Sequence, residues 1–482
     1  MTNFEKFLFQ LTIFLIPTNL AYHFISNDAF VNGILVDYLI PKLYLSDLPI
    51  LLLLLLWLIK SYTVKNVADK SRDIFSSFKT QSSENKKKSV ADLAAQIIFP
   101  YLLFLSLFIT ALASPHPLAG MWYFLKLLEL SLFFLWIKFH LTQKLANKRI
   151  ENNFLQIALT WLKAKYELSF KIKPQRSSSA IDENSVLKAI VPPLLWAMLF
   201  QSLLGLYQFL SQHSLAGYWF LGETTLTYTA NIAKTSVWPF EGLRILPYGT
   251  TPHPNVLAGF LAIGLVLVVS HWKQIKFSNV LKLLVLSFDM LVLYLTQSLS
   301  ALLALAVGIS IVFIPSKYRT SLIFSGVLIC LGVLSLNTQY LPFRSLGEGW
   351  RNTDSIVRRG QLNHYAWQMF LDNPLTGIGL NQFTAVLPSY GVITAYTSFL
   401  QPVHNIYLLW LSETGLVGIL LLFLLFRFIS KQTPQYPLLS TVPIIMFMII
   451  GTFDHYPLTI QTGQLLSVLA LALSIDPVRK LS

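Results

Sequence analysis

Apolar runs of bilayer-crossing length recur along the whole 482-residue chain, and no other feature narrows the fold so far. A spanning helix needs about 20 apolar residues, somewhat fewer where flanking groups snorkel. Runs that meet this test lie near 7–25, 45–60, 95–113, 121–138, 189–210, 253–270, 278–296, 299–314, 320–337, 404–426, 437–453 and 459–475. The second is short but holds Leu51 to Leu56 unbroken, and the seventh and eighth nearly touch at Gln297-Ser298. Soluble domains carry about 25% charged residues, whereas this chain carries 12% and has a mean hydropathy of +0.58. The expectation is an all-α integral membrane protein of about twelve transmembrane helices. Cys330, the single cysteine, lies in an apolar run and excludes an intrachain disulfide or a thiolate cluster. The apolar stretch from Phe7 to Ile25 lacks a basic leader and a small-x-small cleavage site, so it reads as a retained first span.

Lysine and arginine set the orientation. With the N-terminus inside, the segments 61–94, 139–188, 271–277, 315–319, 427–436 and 476–482 become cytoplasmic. Of the 36 Lys and Arg residues, only Lys42, Lys126, Lys234, Arg244, Arg344, Arg351, Arg358 and Arg359 then fall outside the inner group. That bias follows the positive-inside rule and accounts for the net charge of +14 without nucleic acid. The organisation expected is spans one and two (1–60), a basic inner loop (61–94), spans three and four (95–138) and a second basic loop (139–188). Spans five to nine (189–337), a large, partly helical external loop (338–403), spans ten to twelve (404–475) and a cytoplasmic tail (476–482) follow. The two basic loops read as solvated segments beside anionic headgroups, and part of 149–170 has the pattern of an interfacial amphipathic helix.

The chemistry-bearing residues concentrate outside. Between Gln339 and Gly415 there are four arginines and no lysine, while the inner segments are lysine-rich. The planar donor fork of arginine suits phosphate and carboxylate, so this choice points to anion recognition. Pairing of the same arginines with Glu348, Asp354 and Asp372 is the alternative, and of the adjacent Arg358 and Arg359 at least one is expected to be structural. Thr353-Asp354-Ser355 followed by Ile356 to Leu371 reads as a capped helix ended by Asn373-Pro374. His404 stands at the mouth of the tenth span, where it can be a general base or a helix cap. Glu413, nine residues on, falls on the opposite helical face and is a poor partner for His404. Arg244 can join the loop arginines around one anion, and His253 reads as a cap of the sixth span. Asp454-His455-Tyr456 forms a second acid–histidine cluster on the same side. Lys126 and Glu129, three residues apart, are expected to pair, and Asp289 is a further intramembrane carboxylate. No Cys pair, His-Glu-x-x-His or external Asp-x-Asp marks a metal site.

Arg359, Trp367, the run Asp372-Asn373-Pro374-Leu375-Thr376-Gly377-Ile378-Gly379-Leu380-Asn381-Gln382-Phe383, then His404-Asn405-Ile406-Tyr407-Leu408 and Glu413-Thr414-Gly415 resemble the O-antigen ligase / O-antigen polymerase family. The span layout and the large external loop before a late span are similar too. The resemblance implies a GT-C-like, inverting, metal-independent glycosyltransferase in the cytoplasmic (inner) membrane, with both termini inside and no cofactor. It implies an undecaprenyl-diphosphate-linked glycan as donor and a glycan or lipid as acceptor. By the same resemblance Arg244, Arg358 and Arg359 are the donor-binding candidates and His404 the catalytic base, with Asn405, Glu413, Asp454 and His455 in support. One departure is that Ser298 is followed by Leu299 where the family often has Ser-Arg. A flippase or transporter for lipid-linked oligosaccharide is the competing expectation. Transporters usually place ionisable groups at the midplane of repeated halves, and no repeat is visible here.

Overall fold

The structure, a computed structural model, describes residues 1–65, 101–142, 184–228, 232–272, 275–313, 353–391, 399–431 and 442–474. Most of both basic loops, the apolar run 320–337 with Cys330, Arg344, Arg351 and the tail 476–482 lie outside the described residues. Among the described residues, helices overlap eleven of the twelve apolar runs. These are α1 (Asn3–Leu15), α2 (Asp47–Lys65), α3 (Tyr101–Leu112), α4 (Pro117–Thr142), α5 (Asn184–Ser211), α6 (Pro254–Ser270), α7 (Asn279–Leu295) and α8 (Leu299–Phe313). Beyond the connecting helices α9 (Thr353–Asp372) and α10 (Phe383–Tyr390) come α11 (Ile406–Lys431), α12 (Val442–Phe453), the single turn α13 (Tyr456–Thr459) and α14 (Gln461–Ser474). Three stretches, Pro117–His140, Ala189–Ser211 and Ile406–Leu424, are long and apolar enough to cross a membrane by themselves. The helices over Tyr101–Leu112, Pro254–Ser270, Leu299–Phe313, Val442–Phe453 and Gln461–Leu473 are apolar but shorter.

The run 7–25 does not form one helix. Pro17 lacks an N–H and cannot donate back into the helix, so α1 ends at Leu15, with Ile16 still in helical φ/ψ as its cap, and the chain then turns into β1 (Ala21–His23). β1 pairs antiparallel with β4 (Lys42–Tyr44), and β2 (Phe30–Val31) with β3 (Ile34–Leu35). A third hairpin joins β5 (Lys234–Ser236) to β6 (Leu243–Ile245). The all-α expectation is thus amended by three small hairpins in the connections between helices.

α6 is the axis of the bundle. It is apolar all round and buried along nearly its whole length, the pattern of a central helix. α5, α7, α8, α12 and α14 pack around it, and its side chains belong to one continuous core with Phe9, Trp136, Leu194, Val292, Ala304, Met446 and Leu469. The connections gather at one polar end. His116 and Gln382 are hydrogen-bonded, Asn381 reaches the Tyr38 carbonyl, and Asn255 reaches Asp454. The links between α1 and α2 and between α3 and α4 therefore meet the α9–α10 segment there, and the first turn of α6 meets the α12–α13 link.

α11 is broken where α9 docks on it. Gly415 adopts φ 61°, a left-handed conformation that favours glycine. Pro374 to Gly379 forms a turn laced across this break: the amides of Ile378 and Gly379 donate to the carbonyls of Ser412 and Glu413 (2.9 and 3.1 Å). Those of Leu416 and Val417 donate to Pro374 and Leu375 (2.9 and 3.0 Å). A Cβ on Gly377, itself at φ 67°, would collide with the Glu413 backbone. Gly377 is therefore a close-packed contact.

Candidate functional site

Three chain segments deliver the polar cluster at that end. α12 finishes at Phe453, leaving its last carbonyls without helical partners. Arg359, near the start of α9, donates through Nη1 to the Phe453 carbonyl at 3.3 Å, and Asn405 donates through Nδ2 to the Thr452 carbonyl at 3.4 Å. Asn405 also caps α11, its Oδ1 accepting from the amides of Tyr407 and Leu408, both at 3.0 Å. The residue before it, His404, is thereby held against the turn that follows α12.

In that turn His404 Nδ1 lies 3.7 Å from Asp454 Oδ1 and has no hydrogen-bond partner, although it is buried. The separation is that of an ion pair and longer than a hydrogen bond. Asp454 is fixed from two sides: Oδ1 accepts the His455 amide (2.8 Å) and Oδ2 accepts Asn255 Nδ2 (2.9 Å). Burial raises its carboxyl, but His404, His455 and Arg359 outweigh that and hold it well below the usual carboxylate range. His455 packs against His404 with ring centroids 4.9 Å apart, faces the Tyr38 ring edge-on at 5.4 Å and meets the Thr459 hydroxyl at 2.6 Å. Burial, then the neighbouring His404 charge, pushes the His455 imidazole down from 6.5 to about 3, with Asp454 opposing. His455 is therefore neutral at physiological pH, beside an ionised Asp454.

His253 caps α6 by accepting the Asn255 amide at 3.1 Å, and it stands within electrostatic reach of Asp454, His404 and Arg359. Arg358 stacks over the Phe399 ring at 4.9 Å. Arg244 stacks over Phe240 at 5.3 Å, on the β5–β6 hairpin. No hydrogen bond or ion pair joins Arg244 to the cluster among the described residues. Glu413 points away from His404 and accepts the amides of Asn381 (2.9 Å) and Phe383 (3.1 Å), so it holds the entry of α10.

His404, Asp454 and His455 each offer a donor atom within 4.8 Å of the others, so they could hold a cation, a set that no local motif announces. Against a metal stand the two N–H bonds already accepted by Asp454 and the guanidinium of Arg359 beside it. The geometry better suits an imidazole–carboxylate pair flanked by a cation: it can move a proton and stabilise negative charge.

The sequence singled out His404, Arg359, Asn405, Asp454 and His455 separately, and the structure brings them together. It missed Asn255, which follows Pro254, and Tyr38, which lies in a short 3-10 turn (Asp37–Leu39) without any motif. Residues 283–423 match the family model described as O-Antigen ligase, which supports the resemblance to the O-antigen ligase / O-antigen polymerase family. The matched stretch includes Arg358, Arg359, His404 and Glu413, while Asn255, Asp454 and His455 join the cluster from outside it. None of the curated proteins matches the chain.

Proposed function

We propose that this protein is a membrane glycosyltransferase that moves glycan from a lipid-diphosphate donor, of the undecaprenyl type, onto a glycan or lipid acceptor. The observation that carries this reading is the facing of His404 and Asp454 at 3.7 Å beside Arg359, within a polar end built from the helix connections. With Nδ1 turned to the carboxylate, the other ring nitrogen of His404 is the one left to take a proton. The acceptor hydroxyl oxygen attacks the anomeric carbon as its proton passes to His404. The bond from that carbon to the phosphate oxygen breaks, and the diphosphate departs with the electron pair. Such a single displacement inverts the anomeric centre. Arg359 offsets the charge that develops on the leaving diphosphate, with Arg358 and Arg244 as further anion contacts. Asp454 and Asn405 position the imidazole, and no metal is required.

The charge distribution supports an outward-facing site. Nucleotide sugars are confined to the cytosol, so an external transferase needs a tethered donor, whose diphosphate rides at headgroup depth. The proposal includes about twelve spans, cytoplasmic termini and the inner membrane of a bacterium, in the assembly of surface polysaccharide. The test is glycan profiling of cells carrying His404→Ala or Arg359→Ala at unchanged protein level. Lost transfer with lipid-linked donor accumulating on the outer face is expected. Donor trapped on the inner face would instead mark a flippase.

A further inference from the structure

A groove of about 790 Å³ opens between the C-terminal end of α9 and the C-terminal half of α10. Gln368, Asp372, Asn373, Ser389 and Tyr390 line it with amides, a carboxylate and hydroxyls, and Leu371 adds an apolar surface. Its walls are anchored independently of the catalytic cluster. Leu362, Ala366, Met369, Phe383 and Leu387 glue α9 to α10. Glu413 pins the start of α10, and the Pro374–Gly379 segment is laced to α11. None of the lining residues is Lys or Arg, so the groove is no second phosphate site. Neutral amide and hydroxyl groups around a mixed polar and apolar wall suit a polyhydroxylated, uncharged ligand, whose hydroxyls both donate and accept.

The groove lies on the same helix as Arg359. At 1.5 Å per residue, Gln368 is roughly 14 Å and Asp372 roughly 20 Å along α9 from that arginine. This is too far to touch the reacting sugar and suits units several positions along the same chain. Resting on the function proposed above, we infer that this groove is a glycan-chain subsite, which grips sugars remote from the bond being made and gives the enzyme a preference for long chains. The grip can fall on the donor glycan or on the acceptor glycan, since both offer the same chemistry.

The test uses the full chain purified into lipid nanodiscs. The probes are size-fractionated lipid-diphosphate glycans from the producing cells, and free glycans released from them by mild acid. One arm varies donor length against a fixed short acceptor, and the other varies acceptor length against a fixed short donor. In wild type, kcat/KM rises with length in one arm, and that arm names the source. In Gln368→Ala/Asn373→Ala the long-to-short ratio falls roughly tenfold, the weight of one or two net hydrogen bonds. Ser389→Trp, which fills the groove from an exposed position, gives the same loss and guards against misfolding of the first variant. Calorimetric binding of the released long glycan to wild type, weakened in both variants, reads the groove without turnover. Wild type without length preference or long-glycan binding, or variants that slow short and long substrates equally, would overturn the subsite. A wild type that binds the glycan but transfers none would instead overturn the transferase reading and leave the groove standing.

Discussion

Two buried clusters of charge among the described residues are completed to different degrees. Lys126 of α4 makes 2.7 Å contacts with both Asp47 of α2 and Glu129, and Asp47 also accepts from Tyr44 and from Gln461 of α14. One Glu129 oxygen lacks a partner, but both carboxylates share the Lys126 ammonium and the set ties three helices together. Around His404 the opposing pair stops at 3.7 Å, the facing ring nitrogen is unpartnered, and Arg359 makes one long bond to a carbonyl. A cluster closed on itself holds helices in place. One that leaves slack at an imidazole and a guanidinium has capacity for something else to bind. Substitutions should therefore separate stability from turnover in opposite ways at the two sites.

The largest separation is expected from the pair His404→Ala and Lys126→Ala. Loss of a general base lowers transfer by roughly 10²–10⁴-fold, and His404→Ala should do so while unfolding at nearly the wild-type temperature. Lys126→Ala leaves two buried carboxylates unpaired, at a cost of about 3–5 kcal/mol, and should lower the unfolding temperature sharply while the folded fraction keeps its turnover. Next, Arg359→Lys keeps the charge but loses the planar fork, and a drop of roughly tenfold to a hundredfold in kcat/KM is expected from steady-state assays. Asp454→Asn should lower kcat more than KM, because it acts through the orientation of His404. Glu413→Ala removes the acceptor for two buried amides. It should cost about 1–3 kcal/mol of stability, read by thermal unfolding, with a smaller effect on turnover than at His404.

The smallest effect is a pH dependence. His455, pushed down from 6.5 to about 3, is neutral when folded and takes up a proton in the unfolded chain. Its contribution is complete above about 6.5 and is lost as the pH falls toward about 3. Asp454, held low, acts with the same sign further down: its contribution is present above its ordinary value near 3.9 and lost below it. Unfolding temperature should thus fall from pH 7.5 to 5, and His455→Gln should flatten that slope. An unchanged slope would place the acid sensitivity elsewhere.

Helices were legible because apolar length is a local property. Where the reading of the first span failed, Pro17 had already signalled the stop, but hydropathy averaged over it. The hairpins have strands of two or three residues, too short for alternation to register. The Thr353–Leu371 expectation lies within α9, whereas the helical offset expected between His404 and Glu413 does not apply, because His404 precedes α11. The partners of Glu413, the amides of Asn381 and Phe383, were not legible, since backbone groups across the fold carry no side-chain signature. The Asp454-His455 pair was visible as a motif. That it meets His404 depends on α11 and α12 packing side by side, which no spacing in the chain encodes. The stacking of Arg244 on the Phe240 ring of its own hairpin was likewise not legible.

The most direct test is transfer by the purified protein in a bilayer, with a defined lipid-diphosphate glycan and a hydroxyl acceptor, comparing wild type with His404→Ala. The account predicts product from wild type and almost none from the variant, with donor binding retained in both. Equal product from the two proteins would contradict it.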